Sequence, residues 1–394
     1  MNSFKKVRAD ENNPKWEQMI KRESKLYSRD NDLRSPFERD YTRILHSKAY
    51  RKLKHKTQVF YSPQNDNICT RIEHVNYVES ISHTIAKALE LNTDLTRAIA
   101  IAHDVGHAPF GHKGGVVLSV ISQRDLGTTF WHEKNSLYMM DNIQLLEDYE
   151  ENKRNINLTY AVRDGIISHC GEIDENAIKP REEAIDLNSY TRPNQYEPYT
   201  WEGAVVKISD KISYIGRDLE DAKNLGLLEG HEDELYNILG RKVNNTIIIN
   251  DLIVNLCNNS SIEKGLIFSK SALDLMDKIK AFNYKYIYGS KILQPSSKYF
   301  EVVINQIYDV LKNCYDKENT PNRLIELKKF YPNLISNFLS WINNYWNIGD
   351  RKNLKNKILY DINKKEDYLQ AIITYISGMT DKFAIDIYNE IIQY

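Results

Sequence analysis

The stretch TDLTRAIAIAHDVGHAPFGHKG, residues 93–114, indicates the fold class because it combines helical spacing with an abrupt end. Thr93 is suited to cap the start of this helix. Its apolar face is formed by Leu95, Ile99 and Ala102. The helix presents His103 and Asp104 at its C-terminal end, where glycine and proline residues break it into a loop. We therefore predict an amphipathic helix that ends at an adjacent His-Asp pair.

Two further segments show the same helical spacing. Thr70 is expected to cap a helix that begins near Arg71. The apolar face of that helix consists of Val75, Val78, Ile81, Ile85 and Leu89. A third helix buries Val205, Ile208, Ile212, Ile215 and Leu219, and its other face presents Asp210, Tyr214 and Asp218 at helical pitch. Since alternating runs are rare, the chain is predicted to be all-α.

Composition excludes several classes of protein. The 394 residues are 41% hydrophobic, which is enough to bury a large core, so a disordered chain is excluded. The formal net charge of −1 provides no global field that would attract nucleic acid or anionic lipid. The basic run RKLKHK, residues 51–56, has no interleaved aromatic residues and is weak evidence for nucleic-acid binding. Any polyanion must therefore be bound locally.

The compartment is predicted from the spacing of the cysteines and from the lack of long apolar segments. The four cysteines are far apart and form no CxxC pair, which favours a reducing compartment. The first residues lack the apolar core of a signal peptide, and no apolar stretch reaches the roughly 20 residues needed to cross a bilayer. We expect a cytoplasmic protein with no membrane partner.

The chain is expected to have three parts. Residues 1–70 mix charges with basic clusters and form an N-terminal segment that packs on the core. Residues 71–230 hold most of the histidines and form the catalytic core, and residues 231–394 form a helical C-terminal region rich in Asn, Lys, Ile and Tyr.

Histidines are concentrated in one part of the sequence. Six of the ten are His74, His83, His103, His107, His112 and His132. Imidazoles combined with carboxylates suit a divalent transition metal, which can make hydroxide available near neutral pH and neutralise phosphate oxygens. A sensible ligand set is His74, His103, Asp104 and Asp210.

These four residues resemble the H…HD…D signature of the HD superfamily. The flanking segments are similar to those of the deoxyguanosine triphosphate triphosphohydrolase family. They are SPFERDYTRILHSKAYRKLKHKTQVF (35–60), CTRIEHVNYV (69–78), HDVGHAPFGHKG (103–114) and DKISYIGRDLED (210–221). The resemblance implies an all-α HD-domain helical core with an additional helical C-terminal region, and a divalent ion such as Mg²⁺, Mn²⁺, Fe²⁺ or Co²⁺ as cofactor.

The resemblance also implies roles for individual side chains. Arg71 corresponds to a phosphate-binding arginine, for which a planar guanidinium is suited. Positions that line the triphosphate are occupied by His107, His112 and His132. Among these, His112 is the candidate for protonating the leaving oxygen, and Glu133 can orient one of the rings. Contacts with phosphate or sugar are implied for Lys211, Tyr214 and Asp218, and contact with the nucleoside is implied for Gln58.

One position departs from the family pattern. The family usually has a carboxylate three residues after the histidine of its FGHxG[E/D] motif, whereas this chain reads FGHKGG, with Gly115 at that position. If that carboxylate tunes His112, turnover is slowed here, or Glu133 or Asp218 substitutes for it.

The other histidines fit ordinary structural roles. We interpret five of them as structural histidines whose ring nitrogens are satisfied by neighbouring groups: His83, His46, His55, His169 and His231. His103 and His107 have the i, i+4 spacing of a zincin, but Asp replaces the required Glu and Gly106 and Pro109 interrupt the helix.

The implied reaction is metal-dependent hydrolysis of a deoxynucleoside triphosphate to deoxynucleoside and inorganic triphosphate. Two alternatives stay open: another HD-type phosphodiesterase or nucleotidase, and a weakly active nucleotide-binding regulatory protein. The resemblance also implies a homo-oligomer and allows an allosteric nucleotide. Aromatic surface for such an interface is expected from Tyr284, Tyr286 and Tyr288.

Overall fold

The computed structural model describes residues 4–26, 32–61, 65–170 and 176–393. Within these residues the fold is all-α, as predicted, with 17 α-helices and one small antiparallel sheet. The sheet pairs β1 (Leu145–Glu147) with β2 (Lys153–Asn155), so that Leu146 lies opposite Arg154.

The helices follow one another along the whole of the described chain. They are α1 (Trp16–Met19), α2 (Pro36–His46), α3 (Lys48–Lys52), α4 (Arg71–Ala88), α5 (Thr93–Ala102), α6 (Gly111–Leu126), α7 (His132–Tyr138), α8 (Tyr160–Ser168), α9 (Trp201–Asn224), α10 (Glu232–Leu239), α11 (Asn245–Asn259), α12 (Lys270–Asn283), α13 (Gln294–Lys312), α14 (Thr320–Leu327), α15 (Pro332–Ile342), α16 (Lys365–Ser377) and α17 (Asp381–Ile392). None of them, in the described part of the chain, has the length and apolarity that a membrane crossing requires.

The chain forms two compact units, each assembled from separate segments. Unit 1 comprises Met1–Leu45, Ser62–Asp104 and Asn157–Gln294. Unit 2 comprises His46–Tyr61, Val105–Ile156 and Pro295–Tyr394. The unit boundary therefore falls directly after Asp104. The consecutive division at residues 70 and 230 stays a prediction.

Side-chain caps fix where the first two helices of the unit 1 core begin. Thr70 and Glu73 form a capping box at the start of α4, in which Glu73 Oε2 accepts the Thr70 N–H at 2.7 Å. The prediction that Thr93 caps α5 is wrong, because Asn92 is the cap. Its Oδ1 accepts the N–H groups of Asp94 and Leu95 at 3.0 and 3.2 Å, which makes Thr93 the first helical residue.

The core of unit 1 is formed where α4, α5, α8 and α9 pack on one another. The apolar faces predicted for α4, α5 and α9 are buried. Helix α9 is buried on nearly every side, so its polar face also points into the protein. The polar residues of these helices are therefore enclosed within unit 1, where they need partners.

Unit 2 has its own hydrophobic core, in which α6 packs on α16. Phe110 precedes α6 in a left-handed backbone conformation, with φ of 65°, and its ring stacks on Phe300 at 4.2 Å. The Phe110 N–H donates to Asp381 Oδ1 at 2.8 Å. These contacts fix the start of α6 and hence the position of His112.

Candidate metal centre and histidine cluster

Unit 1 brings the four predicted metal ligands together. His74 lies on α4, His103 and Asp104 directly follow α5, and Asp210 lies on α9. His74 Nε2 is 3.0 Å from Asp210 Oδ1 and 3.8 Å from Asp104 Oδ2, and His103 Nε2 is 3.9 Å from the same two oxygens. Around one ion with bonds of about 2.1 Å, ligand atoms lie about 3 to 4 Å from one another. The four distances fall within that range, so these side chains are close enough to converge on one divalent ion.

The His103 ring is held in the form that a metal ligand requires. Its Nδ1 lies 2.6 Å from the carbonyl oxygen of Ala100. Because a carbonyl only accepts, Nδ1 carries the proton and Nε2 carries the lone pair. Among the described residues, His103 Nε2 is buried without a hydrogen-bond partner. A buried lone pair beside two carboxylates is an observation that a bound cation explains.

Protonation states at the centre follow from burial and from facing charges. Burial lowers the pKa of His103 to about 4, so this imidazole is neutral at pH 7. Burial alone would raise the pKa of Asp210, but the facing imidazoles of His74 and His103 lower it below its ordinary value. Neutral imidazole and ionised carboxylate are the ligand forms of these groups.

Arg71 lies against the same centre. Its side chain is 1% exposed, and its Nη1 forms an ion pair with Asp104 Oδ2. The guanidinium has five N–H donors in a planar fork, a geometry that suits contact with several anionic oxygens.

Helix α9 carries the three other predicted contacts of unit 1. Lys211 and Asp218 are buried, and Tyr214 is half-buried. Asp218 accepts a hydrogen bond from the Tyr288 hydroxyl. Burial raises the pKa of Asp218 to about 7 although the Tyr288 hydrogen bond opposes this rise.

The tyrosines expected to form an interface are largely used within unit 1. Only Tyr284 is well exposed, at 60%. Tyr286 stacks on His231 at 3.9 Å and donates to Glu234 Oε2 at 2.6 Å, whereas Tyr288 is committed to Asp218. Tyr286 and Tyr288 are half-buried, so most of the exposed aromatic surface belongs to Tyr284, and the interface itself stays a prediction.

Unit 2 brings the other predicted histidines together. The ring centroid of His107 lies 4.0 Å from that of His132 and 5.4 Å from that of His112, and the centroids of His112 and His132 are 5.9 Å apart. His107 is buried and His112 is exposed. Glu133 is 1% exposed, and its Oε2 lies 3.4 Å from His132 Nδ1, so this carboxylate can orient the His132 ring.

Gly115 has room for a side chain. A Cβ built at this position would meet only a Phe130 ring carbon, at 3.9 Å. Packing therefore does not require glycine where the family usually has a carboxylate.

Gln58 follows two residues, Lys56 and Thr57, that hydrogen-bond to other segments of unit 2. The Thr57 N–H donates to Asp381 Oδ2 at 2.7 Å. Lys56 Nζ donates to the carbonyl oxygens of His107 and Ser377, the latter at 2.9 Å. Gln58 itself is half-buried.

One residue beside the metal centre is not among the predicted site residues. His169 is 1% exposed, and its ring lies edge-on to His103 with 4.8 Å between the centroids. No His or Asp lies next to His169 in the sequence, so no motif identifies it as a site residue. The only local signal is the helix that ends directly before it.

Comparison with known proteins agrees with this arrangement. The HD domain family matches residues 71–215, a range that contains all four proposed ligands. The chain is 33% identical over 365 residues to a deoxyguanosinetriphosphate triphosphohydrolase-like protein of Caldanaerobacter subterraneus subsp. tengcongensis, covering 91% of this chain and 86% of the relative. Similar proteins of Clostridium tetani and Pelagibacter ubique are both 31% identical, over 91% and 94% of this chain and 86% and 97% of theirs. The chain therefore belongs to the deoxyguanosinetriphosphate triphosphohydrolase-like family of HD-domain, metal-dependent phosphohydrolases.

Proposed function

We propose that the protein hydrolyses deoxynucleoside triphosphates at the α-phosphorus, releasing deoxynucleoside and inorganic triphosphate. The observation that carries the proposal is the close set of His74, His103, Asp104 and Asp210, of which the first three are buried, with the Arg71 guanidinium against it. A cation site with an adjacent guanidinium matches the chemistry of a phosphate ester. The names of the relatives support the same class of substrate.

The four ligands hold a divalent ion, with Mg²⁺, Mn²⁺, Fe²⁺ and Co²⁺ as the candidates. Bound there, the ion would supply a nucleophilic water at neutral pH and neutralise phosphate oxygens. The nearly complete burial of His103 limits exchange with bulk water around these ligands. The charges at the centre therefore interact in a low dielectric, where they are strongest.

Arg71 and Lys211 bind the triphosphate. Both side chains are buried, and both are cationic. A triphosphate carries more negative charge than a phosphodiester or a monophosphate, so two buried cations favour it over those substrates. The same argument separates this function from that of an HD-type phosphodiesterase or nucleotidase.

His112 protonates the leaving 5′-oxygen of the nucleoside. An alkoxide is a poor leaving group, so the reaction needs a general acid, and imidazole is the side chain that most often serves as one. His107 and His132 lie within the same cluster and bind phosphate oxygens. Glu133 holds the His132 ring in one orientation, as outer carboxylates commonly do.

Tyr214, Asp218 and Gln58 contact the nucleoside. The half-buried Tyr214 ring would pack against C2′ of the sugar, where a 2′-hydroxyl would clash or lose its water partners. Asp218 can accept a hydrogen bond from a sugar hydroxyl when ionised and donate one when protonated.

The compartment is proposed from the cysteines, and the assembly from the family resemblance. We place the activity in the cytoplasm, since all four cysteines are reduced thiols rather than disulfides. A homo-oligomer is proposed on the resemblance alone, as is an allosteric nucleotide.

A substrate panel tests the proposed function. Deoxy- and ribonucleoside triphosphates, cyclic nucleotides and monophosphates are each incubated with Mg²⁺, Mn²⁺, Co²⁺ or Fe²⁺, and the products are separated by chromatography. We expect deoxynucleoside and triphosphate from deoxynucleoside triphosphates only. Turnover of cyclic nucleotides or monophosphates instead would favour the phosphodiesterase or nucleotidase alternative, and nucleotide binding without turnover would favour a regulatory protein.

A further inference from the structure

His169 repeats the local structure of His103 on a neighbouring helix. His103 is the residue directly after α5, and His169 is the residue directly after α8. In each case Nδ1 lies 2.6 Å from the carbonyl oxygen three residues earlier, that of Ala100 or Ile166. Both rings therefore carry the proton on Nδ1 and direct a lone pair from Nε2.

Close packing of the two helices brings these rings together. Helices α5 and α8 pack on each other, and Gly165 lies at their contact. A Cβ at Gly165 would lie 2.5 Å from Ile99 Cδ1, so only glycine allows this approach. The buried Asp164 also anchors α8, through an ion pair with the half-buried Arg181 and by accepting the Tyr199 N–H at 2.7 Å.

The result is a second ligand set that overlaps the first. One ligand atom each from His103, Asp104 and His169 lies within 4.8 Å of the other two, and all three residues are buried. The first set, formed by His74, His103 and Asp210, meets the same distance limit and shares His103. Both histidines also follow helix C-termini, where the helix dipole favours a cation.

We propose that His169 is a further ligand of the divalent metal at this centre. It deepens the proposed function, because it rests on the same metal site and concerns which ion that site takes. Three imidazoles and two carboxylates form a ligand set that favours Mn²⁺, Fe²⁺ or Co²⁺ over Mg²⁺, since Mg²⁺ prefers oxygen ligands. The site therefore selects a transition metal.

Proton NMR of the Co²⁺-loaded full-length protein, selectively labelled with ¹⁵N-histidine, counts the ligated imidazoles directly. Paramagnetic Co²⁺ shifts the Nδ1–H of each ligated ring far from the diamagnetic region. We expect three shifted imidazoles, assigned to His74, His103 and His169, in the wild-type protein. Two would overturn the proposal without recourse to any variant.

His169→Gln keeps a polar side chain of similar length and removes the imidazole, and His83→Ala is the matched control on α4. His169→Gln should lose one shifted imidazole and weaken Co²⁺ binding by at least the roughly 10–100-fold seen for outer-shell partners. Its Mg²⁺ affinity should change much less. Co²⁺ affinity equal to that of wild type would contradict the proposal. The NMR measurement contains no nucleotide, so its result does not depend on the substrate. If three imidazoles are shifted but the protein has no triphosphohydrolase activity, the proposed substrate is rejected and the His169 assignment stands.

Discussion

His74 Nε2 lies 3.0 Å from Asp210 Oδ1, and the two residues come from α4 and α9, which pack on each other. His74 is buried and Asp210 is half-buried, so bulk water has little access to the pair. Without a cation, the pair shares a proton, which raises the pKa of His74 against the effect of burial. Metal binding must displace that proton, so affinity for the ion should fall as the pH falls.

Replacing the ligands should abolish metal retention and hydrolysis together. Asp210→Ala, or alanine at both His103 and Asp104, removes charge that holds the ion and should leave the helical fold in place. Asp277→Ala, at an exposed aspartate of α12, is the control. Elemental analysis of the purified proteins measures occupancy, and circular dichroism reports the fold. Full metal occupancy in Asp210→Ala would count decisively against this ligand set.

The helices that carry the proposed ligands can be predicted from sequence because helical spacing is a local pattern, whereas the ligand set itself rests on the resemblance to the H…HD…D signature and stays a prediction. The box of Thr70 and Glu73 is readable from spacing, and so is the end of α5 at His103. The cap of α5 is misassigned because Asn92 and Thr93 are adjacent and both residue types cap helices.

Relationships that depend on tertiary packing could not be predicted. His169 meets His103 only because Gly165 lets α8 approach α5, and no spacing encodes that approach. Likewise, no spacing in the sequence predicts that the Tyr288 hydroxyl donates to Asp218. Such pairings join segments far apart in sequence, so periodicity carries no information about them.

His112→Ala should slow the chemical step. Proton donation to a poor leaving group is typically worth ~10²–10⁴-fold, so kcat should fall by about that factor with little change in KM. Steady-state kinetics of dGTP hydrolysis measures both parameters, and His55→Ala, at an exposed histidine of unit 2, is the control. An unchanged kcat would remove His112 from the role of general acid.

Tyr214→Ala should relax discrimination against ribonucleotides. If the ring lies against C2′, its removal makes room for a 2′-hydroxyl, so the ratio of kcat/KM for dATP to that for ATP should fall. Turnover of dATP itself should fall less than this ratio. The measurement is kcat/KM for the two nucleotides in both proteins. Equal values for ATP and dATP in the wild-type enzyme would refute a sugar gate at this position.

Asp218→Asn should change how stability depends on pH. The pKa of Asp218 is raised from 3.8 to about 7 in the folded protein, chiefly by burial. The stability that this shift contributes is present at low pH and is lost as the pH rises through about 7. An amide does not ionise, so the variant should gain stability relative to wild type by on the order of 2–3 kcal/mol between about pH 5 and about pH 8.

Urea unfolding of the metal-free proteins at a series of pH values measures this difference. Asp277→Asn is the control for a generic change of charge. A stability difference between Asp218→Asn and wild type that stays constant with pH would show that Asp218 titrates at an ordinary pKa.

The position of the cleaved bond separates α-phosphorus hydrolysis from every other triphosphatase reaction. Hydrolysis of dGTP in water enriched in oxygen-18 is followed by phosphorus NMR, in which the label shifts the resonance of the phosphorus that carries it. Attack at the α-phosphorus predicts intact inorganic triphosphate with the label on a terminal phosphorus, together with unlabelled deoxyguanosine. Orthophosphate with a diphosphate, or pyrophosphate with a monophosphate, would place the attack at another bond and contradict the proposed reaction.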